Sequence, residues 1–130
     1  MIDGGIKIKK ENVMESKRNL FVYYLRDENN APVVTVTLKR NGDEFARGLA
    51  ICSFRETPSK ALGRIKSYVR ADKALRNKEN DDDIFRFDAN YVISNVQNTF
   101  DLPFVYKSQY IKKEDLTTFE KKLFGFDRKE

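Results

Sequence analysis

Residues 33–53 read VVTVTLKRNGDEFARGLAICS, and the strongest structural signal in the chain lies here. Val33–Lys39 alternates, so Val34, Val36 and Leu38 share one face of a strand and Val33, Thr35 and Thr37 the other. Asn41-Gly42 then predicts a tight hairpin, because both residues accept the positive φ of a type I′ turn. The return strand, Phe45–Ser53, carries Phe45, Leu49 and Ile51 on one face. Its other face holds only Ala46, Gly48, Ala50 and Cys52, small enough for a helix or a ligand to approach the backbone closely.

Upstream of the hairpin, LFVYYLR at 20–26 reads as a strand and DENNAP as the turn that follows it. Tyr23 and Tyr24 fall on opposite faces of that strand, which predicts that one of them is exposed. Residues 1–18 are polar apart from a short alternation at Ile6-Lys7-Ile8. They read as an N-terminal extension or edge strand ahead of a single domain at 19–130.

Downstream, the period changes. Thr57 reads as an N-cap and Pro58 as the first residue of a helix running to about Lys78. Ala61, Leu62, Ile65, Tyr68, Val69 and Leu75 form one apolar stripe, the expected buried face, with Ser59, Lys66, Arg70, Lys73 and Asn77 opposite. Asp72 falls inside the stripe and needs a partner or an exposed edge; Arg64 is the nearest cation. Residues 79–83 read as a solvated loop. Residues 89–99 fit either a short helix capped by Asp88 or a strand at Tyr91–Val96, and the helix is preferred. Phe104–Ile111 reads as a strand, and Lys113–Phe124 as a last helix with Leu116, Phe119 and Leu123 on one side and Gly125 as its stop. The fold class is therefore α+β: an antiparallel meander of three or four strands with two or three helices packed on one face.

Composition narrows the function. The chain has 130 residues, 40% of them apolar and 35% charged, against a usual charged share of about 25%. That length suits one core. No run approaches the ~18 apolar residues of a membrane span, and no apolar h-region follows Met1, so neither a membrane nor a secretory route is expected and the location reads as cytoplasmic. The single cysteine, Cys52, excludes an internal disulfide and a cysteine-based zinc site. The absence of histidine excludes Ser-His-Asp and Cys-His catalysis. Neither GxxxxGK[ST] nor GxGxxG occurs. Asp81, Asp82 and Asp83 lack the spacing of a calcium loop. No cofactor, metal or catalytic set is expected, and the protein reads as a binder, not an enzyme.

The net charge of +5 is modest, but it is concentrated. Residues 55–78 hold eight cations against Glu56 and Asp72, a local +6, and residues 79–88 follow with a local −4. Hydroxyls and cations cluster where the third strand meets the helix, and a helix N-terminus attracts anions. Arg55, Thr57, Ser59 and Lys60 are the candidate anion ligands there, with Arg64, Lys66, Arg70 and Lys73 extending a track along the helix.

Two resemblances involve the same region. ARGLAICSFRETPSKALGRIKSYVRADKALR at 46–76 resembles a tract in small proteins of phages and mobile elements, on Arg47, Gly48, Ala50, Ile51, Cys52, Ser53, Gly63, Arg64 and Arg70. That resemblance implies a phage-type protein and no particular activity. The order hairpin, strand, basic helix is similar to the later part of a double-stranded-RNA-binding domain, whose last helix offers its first cations to phosphates; Ser59, Lys60 and Arg64 take that place here. The leading expectation is a polyanion binder, with nucleic acid as the partner, acting through the basic helix and its N-terminus. One alternative is a phage-type interaction module that docks on an acidic surface of a host enzyme or defence protein. The other is a binder of a small phosphate-bearing ligand, which requires an open concavity near Cys52 and Thr57.

Overall fold

The structure, a computed structural model, describes residues 13–16, 19–52, 57–81, 87–97 and 107–126. Five antiparallel strands form one sheet in chain order: β1 (Val13–Ser16), β2 (Leu20–Arg26), β3 (Pro32–Asn41), β4 (Glu44–Ile51) and β5 (Gln109–Ile111). The first four make the expected meander. Helices α1 (Lys60–Asn77) and α2 (Phe87–Ser94) lie between β4 and β5, and a 3₁₀ turn (Lys113–Asp115) and α3 (Thr118–Phe124) close the described chain. The fold class is α+β, as the sequence predicts. Within 1–18, read as an extension or an edge strand, Val13–Ser16 pairs with β2 as β1, and the alternation at Ile6-Lys7-Ile8 lies outside the described residues. Of the expected strand Phe104–Ile111, β5 occupies the last three residues, and 104–106 lie outside the described residues.

The β3–β4 hairpin forms with its turn shifted by one residue. Asn41 pairs with Glu44, so Gly42 and Asp43 are the loop. Gly42 has φ 66°, and Asn30 and Lys78 are the non-glycine residues with positive φ among those described. Glycine at the first central position and a normal second residue match a II′ turn; type I′ would need positive φ at both.

Helices cover both faces of the sheet, where the sequence predicted one. Phe21, Tyr23, Leu25, Val34, Val36, Leu38, Phe45, Leu49 and Ile51 form a large-residue face. Val92, Ile93, Val96 and Leu116 pack on it, joined by Phe119, Leu123, Phe124 and Phe126. Phe124 meets Phe21 edge-on at 4.9 Å and Phe45 at 5.3 Å, a favoured aromatic geometry. The opposite face, with Thr35, Thr37, Ala46, Gly48 and Ala50, takes α1. Both faces are too apolar or too dry to stand in water, so each needs a cover. For the same reason Tyr23 and Tyr24 are both buried, correcting the expectation that one is exposed.

The expected helix at 113–124 breaks in the middle. Leu116 is extended, and Thr117 starts α3 with a reciprocal capping box: its hydroxyl accepts from Glu120 N while Glu120 accepts from Thr117 N. Gly125 stops α3 with φ 82°, as predicted. The ambiguous middle segment resolves as helix: α2 begins at Phe87, so Asp88 lies inside it and is not its cap. Val96 then bridges Asp27.

Candidate interaction surface

The placement of α1 determines what the protein offers to a partner. Its start lies later than the sequence suggested. Ser59, not Thr57, is the N-cap: its backbone is extended and its hydroxyl accepts from Leu62 N at 3.2 Å. Thr57 and Pro58 precede the helix. Lys78 ends it in the left-handed conformation and donates its amide to Ala74 O.

α1 is also turned the other way round. The residues that meet the sheet are Gly63, Ser67, Ala71 and Ala74, all small and about one turn apart. Ser67 Oγ and Thr37 Oγ1 share a buried 2.7 Å hydrogen bond. A Cβ at Gly48 would overlap Ser67 O, and one at Gly63 would overlap Thr35 Oγ1. Small faces on both elements bring the two backbones together, and no leucine or isoleucine fits between them. The apolar stripe expected to be buried therefore faces outward: Leu62 is 55% exposed, Ile65 60%, Val69 57% and Tyr68 40%. The stripe was legible in sequence, but not its direction. The signal for that was the run of small residues at Gly63, Ser67, Ala71 and Ala74, matching the small face already noted on β4.

The candidate cations do not form a single track. Lys60 lies over the Tyr24 ring at 5.2 Å, and Arg64 donates to Tyr24 Oη at 3.1 Å, so both face β2. Arg70 donates to Leu49 O at 2.8 Å, on the edge of β4. Lys73 comes within 4.0 Å of Asp81 from the acidic loop. Arg76 pairs with Asp72 at 2.9 Å, and Lys78 with Glu44 at 3.0 Å. Lys66 is exposed and has no partner among the described residues. Arg55 lies outside the described residues. Asp72 finds its second partner in Lys39, at 2.8 Å, and not in Arg64. Hydrogen bonds from Lys39 and then Arg76 hold the Asp72 carboxyl below the usual aspartate range.

What α1 does present is a composite outer face. Leu62, Ile65 and Val69 form an apolar ridge. Lys66 and Lys73 follow Leu62 and Val69 by one turn each, so both stand on the same flank of it. At the N-terminal end the ridge borders an open cleft of about 230 Å³ between α1 and the ends of β3 and β4. Val33, Thr35, Ala50, Cys52, Thr57, Leu62 and Lys66 are among the residues that line it. This is the concavity that the small-ligand expectation required. Cys52 is half-buried here.

Among the described residues, no group of His, Cys, Asp and Glu side chains could hold a metal ion, and no helix is long and apolar enough to cross a membrane. Comparison with protein-family models, curated proteins and solved structures finds no match for the chain.

Proposed function

We propose that the protein is a binding module, not an enzyme, and that it docks on an acidic protein surface through the outer face of α1. The observation that carries this reading is the ridge of Leu62, Ile65 and Val69, each more than half exposed on a helix whose other side is closely packed. Isolated exposed leucines are ordinary, but three adjacent on one helix face, with Tyr68 beside them, form a contiguous apolar patch. Each such side chain gains on the order of 1.5–3 kcal/mol when fully covered. Lys66 and Lys73 border the patch on one flank, so the favoured partner is acidic.

Nucleic acid is the less favoured partner. A phosphate backbone rewards a row of available cations and gains little from an aliphatic ridge. Three of the candidate cations, Lys60, Arg64 and Arg70, are directed at the sheet.

The two partner classes separate in one titration. Labelled protein is titrated with a glutamate-rich amphipathic helical peptide carrying a leucine stripe, with the lysine-for-glutamate version of that peptide, and with duplex and single-stranded DNA and RNA across a salt series. The expected result is binding of the acidic peptide alone, with resonance shifts centred on Leu62, Ile65 and Val69 and loss of binding in I65D and V69D. Nucleic-acid binding that K66E/K73E removes and V69D leaves intact would overturn this reading in favour of the polyanion one.

A further inference from the structure

We infer that the cleft at the N-terminal end of the ridge is an anchor socket, which takes one tyrosine side chain of the acidic partner while Lys66 receives a neighbouring carboxylate. This inference rests on the docking reading above and specifies which residues of the partner make the contact.

Three features point to such an occupant. Leu62 belongs both to the ridge and to the cleft wall, so a segment lying along α1 reaches the cleft without leaving the surface. The walls supplied by Val33, Ala50 and Leu62 are apolar and suit the body of a ring. The Thr35 hydroxyl is the polar exception. Thr35 is only 3% exposed, lines the same cleft, and makes no side-chain hydrogen bond among the described residues. A buried hydroxyl left without a partner is costly, and a hydroxyl arriving on an aromatic ring supplies one. Tyrosine combines the ring and the hydroxyl in one rigid side chain, which is why it is common at binding hot spots. Lys66, itself part of the cleft wall, is exposed and has no partner among the described residues, so an aspartate or glutamate next to the tyrosine meets its ammonium. The ridge from Leu62 to Val69 covers about 10 Å of helix axis, so the tyrosine belongs at one end of the partner's apolar stripe.

The test uses three acidic amphipathic peptides that differ only at the terminal stripe position: tyrosine, phenylalanine or alanine. Binding is measured on the full chain by fluorescence anisotropy. The tyrosine peptide is expected to bind at least about tenfold tighter than the alanine peptide, with phenylalanine between them. T35V is expected to close the gap between tyrosine and phenylalanine while leaving the alanine peptide unchanged. Cys52 is the chain's only cysteine, so alkylation with a bulky maleimide places a plug at the cleft without altering α1. It is expected to bring all three peptides to the affinity of the alanine form. Equal affinity of the three peptides for unmodified protein, with binding still sensitive to V69D, would overturn the socket and leave the docking reading standing. No binding of any of them would overturn both.

Discussion

Gly48 and Ser67 are in backbone contact: a methyl group on Gly48 would overlap the Ser67 carbonyl oxygen and stand 2.9 Å from the Ala71 Cβ. This approach fixes how α1 sits on the sheet, and through it which side of α1 faces solvent. G48A is therefore expected to destabilise the protein by more than the usual ~1–3 kcal/mol of overpacking, because the obstacle is backbone that cannot rotate away. In G63A the three atoms nearest the new methyl all belong to the Thr35 side chain. Its cost is expected to be smaller and partly relieved in G63A/T35A, giving a non-additive cycle. Urea unfolding of G48A, G63A, T35A and G63A/T35A checks both statements; additive costs at positions 35 and 63 would refute the second.

On the opposite face, Arg47 and Glu120 form a buried pair, with Arg47 Nη2 at 2.6 Å from Glu120 Oε1 and Nε at 2.9 Å from Oε2. Tyr23 Oη donates to the same carboxylate at 2.6 Å, and Arg47 also donates to Gln109 Oε1 and Asp115 O. Burial alone lowers the Arg47 pKa, but the Glu120 carboxylate outweighs it and raises it, so the guanidinium stays charged. R47M strands a buried carboxylate and E120Q strands a buried cation. Each is expected to cost about 3–5 kcal/mol, and R47M/E120L less than the two single changes together. Y23F removes one hydrogen bond to a charge and is expected to cost about 1.5–3 kcal/mol. Thermal denaturation of the set gives the comparison.

The sheet was far more legible than the helices. Leu20–Arg26 was bounded correctly because its apolar run ends in charge on one side and a turn on the other. The β3–β4 hairpin was readable because alternation survives whatever packs on it. Helix α1 was located to within two residues, yet its orientation was misread. Apolar periodicity marks a face without saying what covers it, and here sterics gave the sheet contact to Gly63, Ser67 and Ala71. The basic segment was equally visible, but sequence could not show that Arg64 would reach Tyr24 or that Arg70 would reach β4. The Arg47–Glu120 pair went unread because the partners are far apart in the chain, and a lone arginine on an alternating strand gives no local signal.

Acid should weaken the attachment of α1 to β3 in a defined window. Asp72 bridges Lys39 of β3 and Arg76 of α1, and its pKa is depressed by their hydrogen bonds. A depressed carboxyl stabilises fully above its unfolded value, near 3.9, and that contribution disappears as pH falls through the lower folded value. Glu44, lowered by Lys78 and Tyr110, adds to the same trend. Wild-type stability is expected to fall below about pH 4, and D72N to start lower and fall less steeply. Urea midpoints at about pH 6 and pH 3 measure this; an unchanged slope in D72N would show that the bridge contributes nothing.

Arg70 is expected to guard an edge, not to contact a phosphate. Among the described residues, β5 pairs with β4 at Phe45–Arg47. Beyond that point the outer edge of β4 is occupied by side chains: Ser108 Oγ accepts from Leu49 N at 3.1 Å and Arg70 donates to Leu49 O at 2.8 Å. Strand edges with vacant amides and carbonyls recruit other strands. R70A is expected to lose about 1.5–3 kcal/mol from the charged hydrogen bond and to free the Leu49 carbonyl for pairing with a second molecule. Sedimentation velocity should then show association that grows with protein concentration, while R70K, which keeps a donor, stays closer to wild type. Because Arg70 is turned away from the ridge, R70A should retain the acidic peptide at near wild-type affinity. A monomeric R70A of wild-type stability would show that this edge needs no guard.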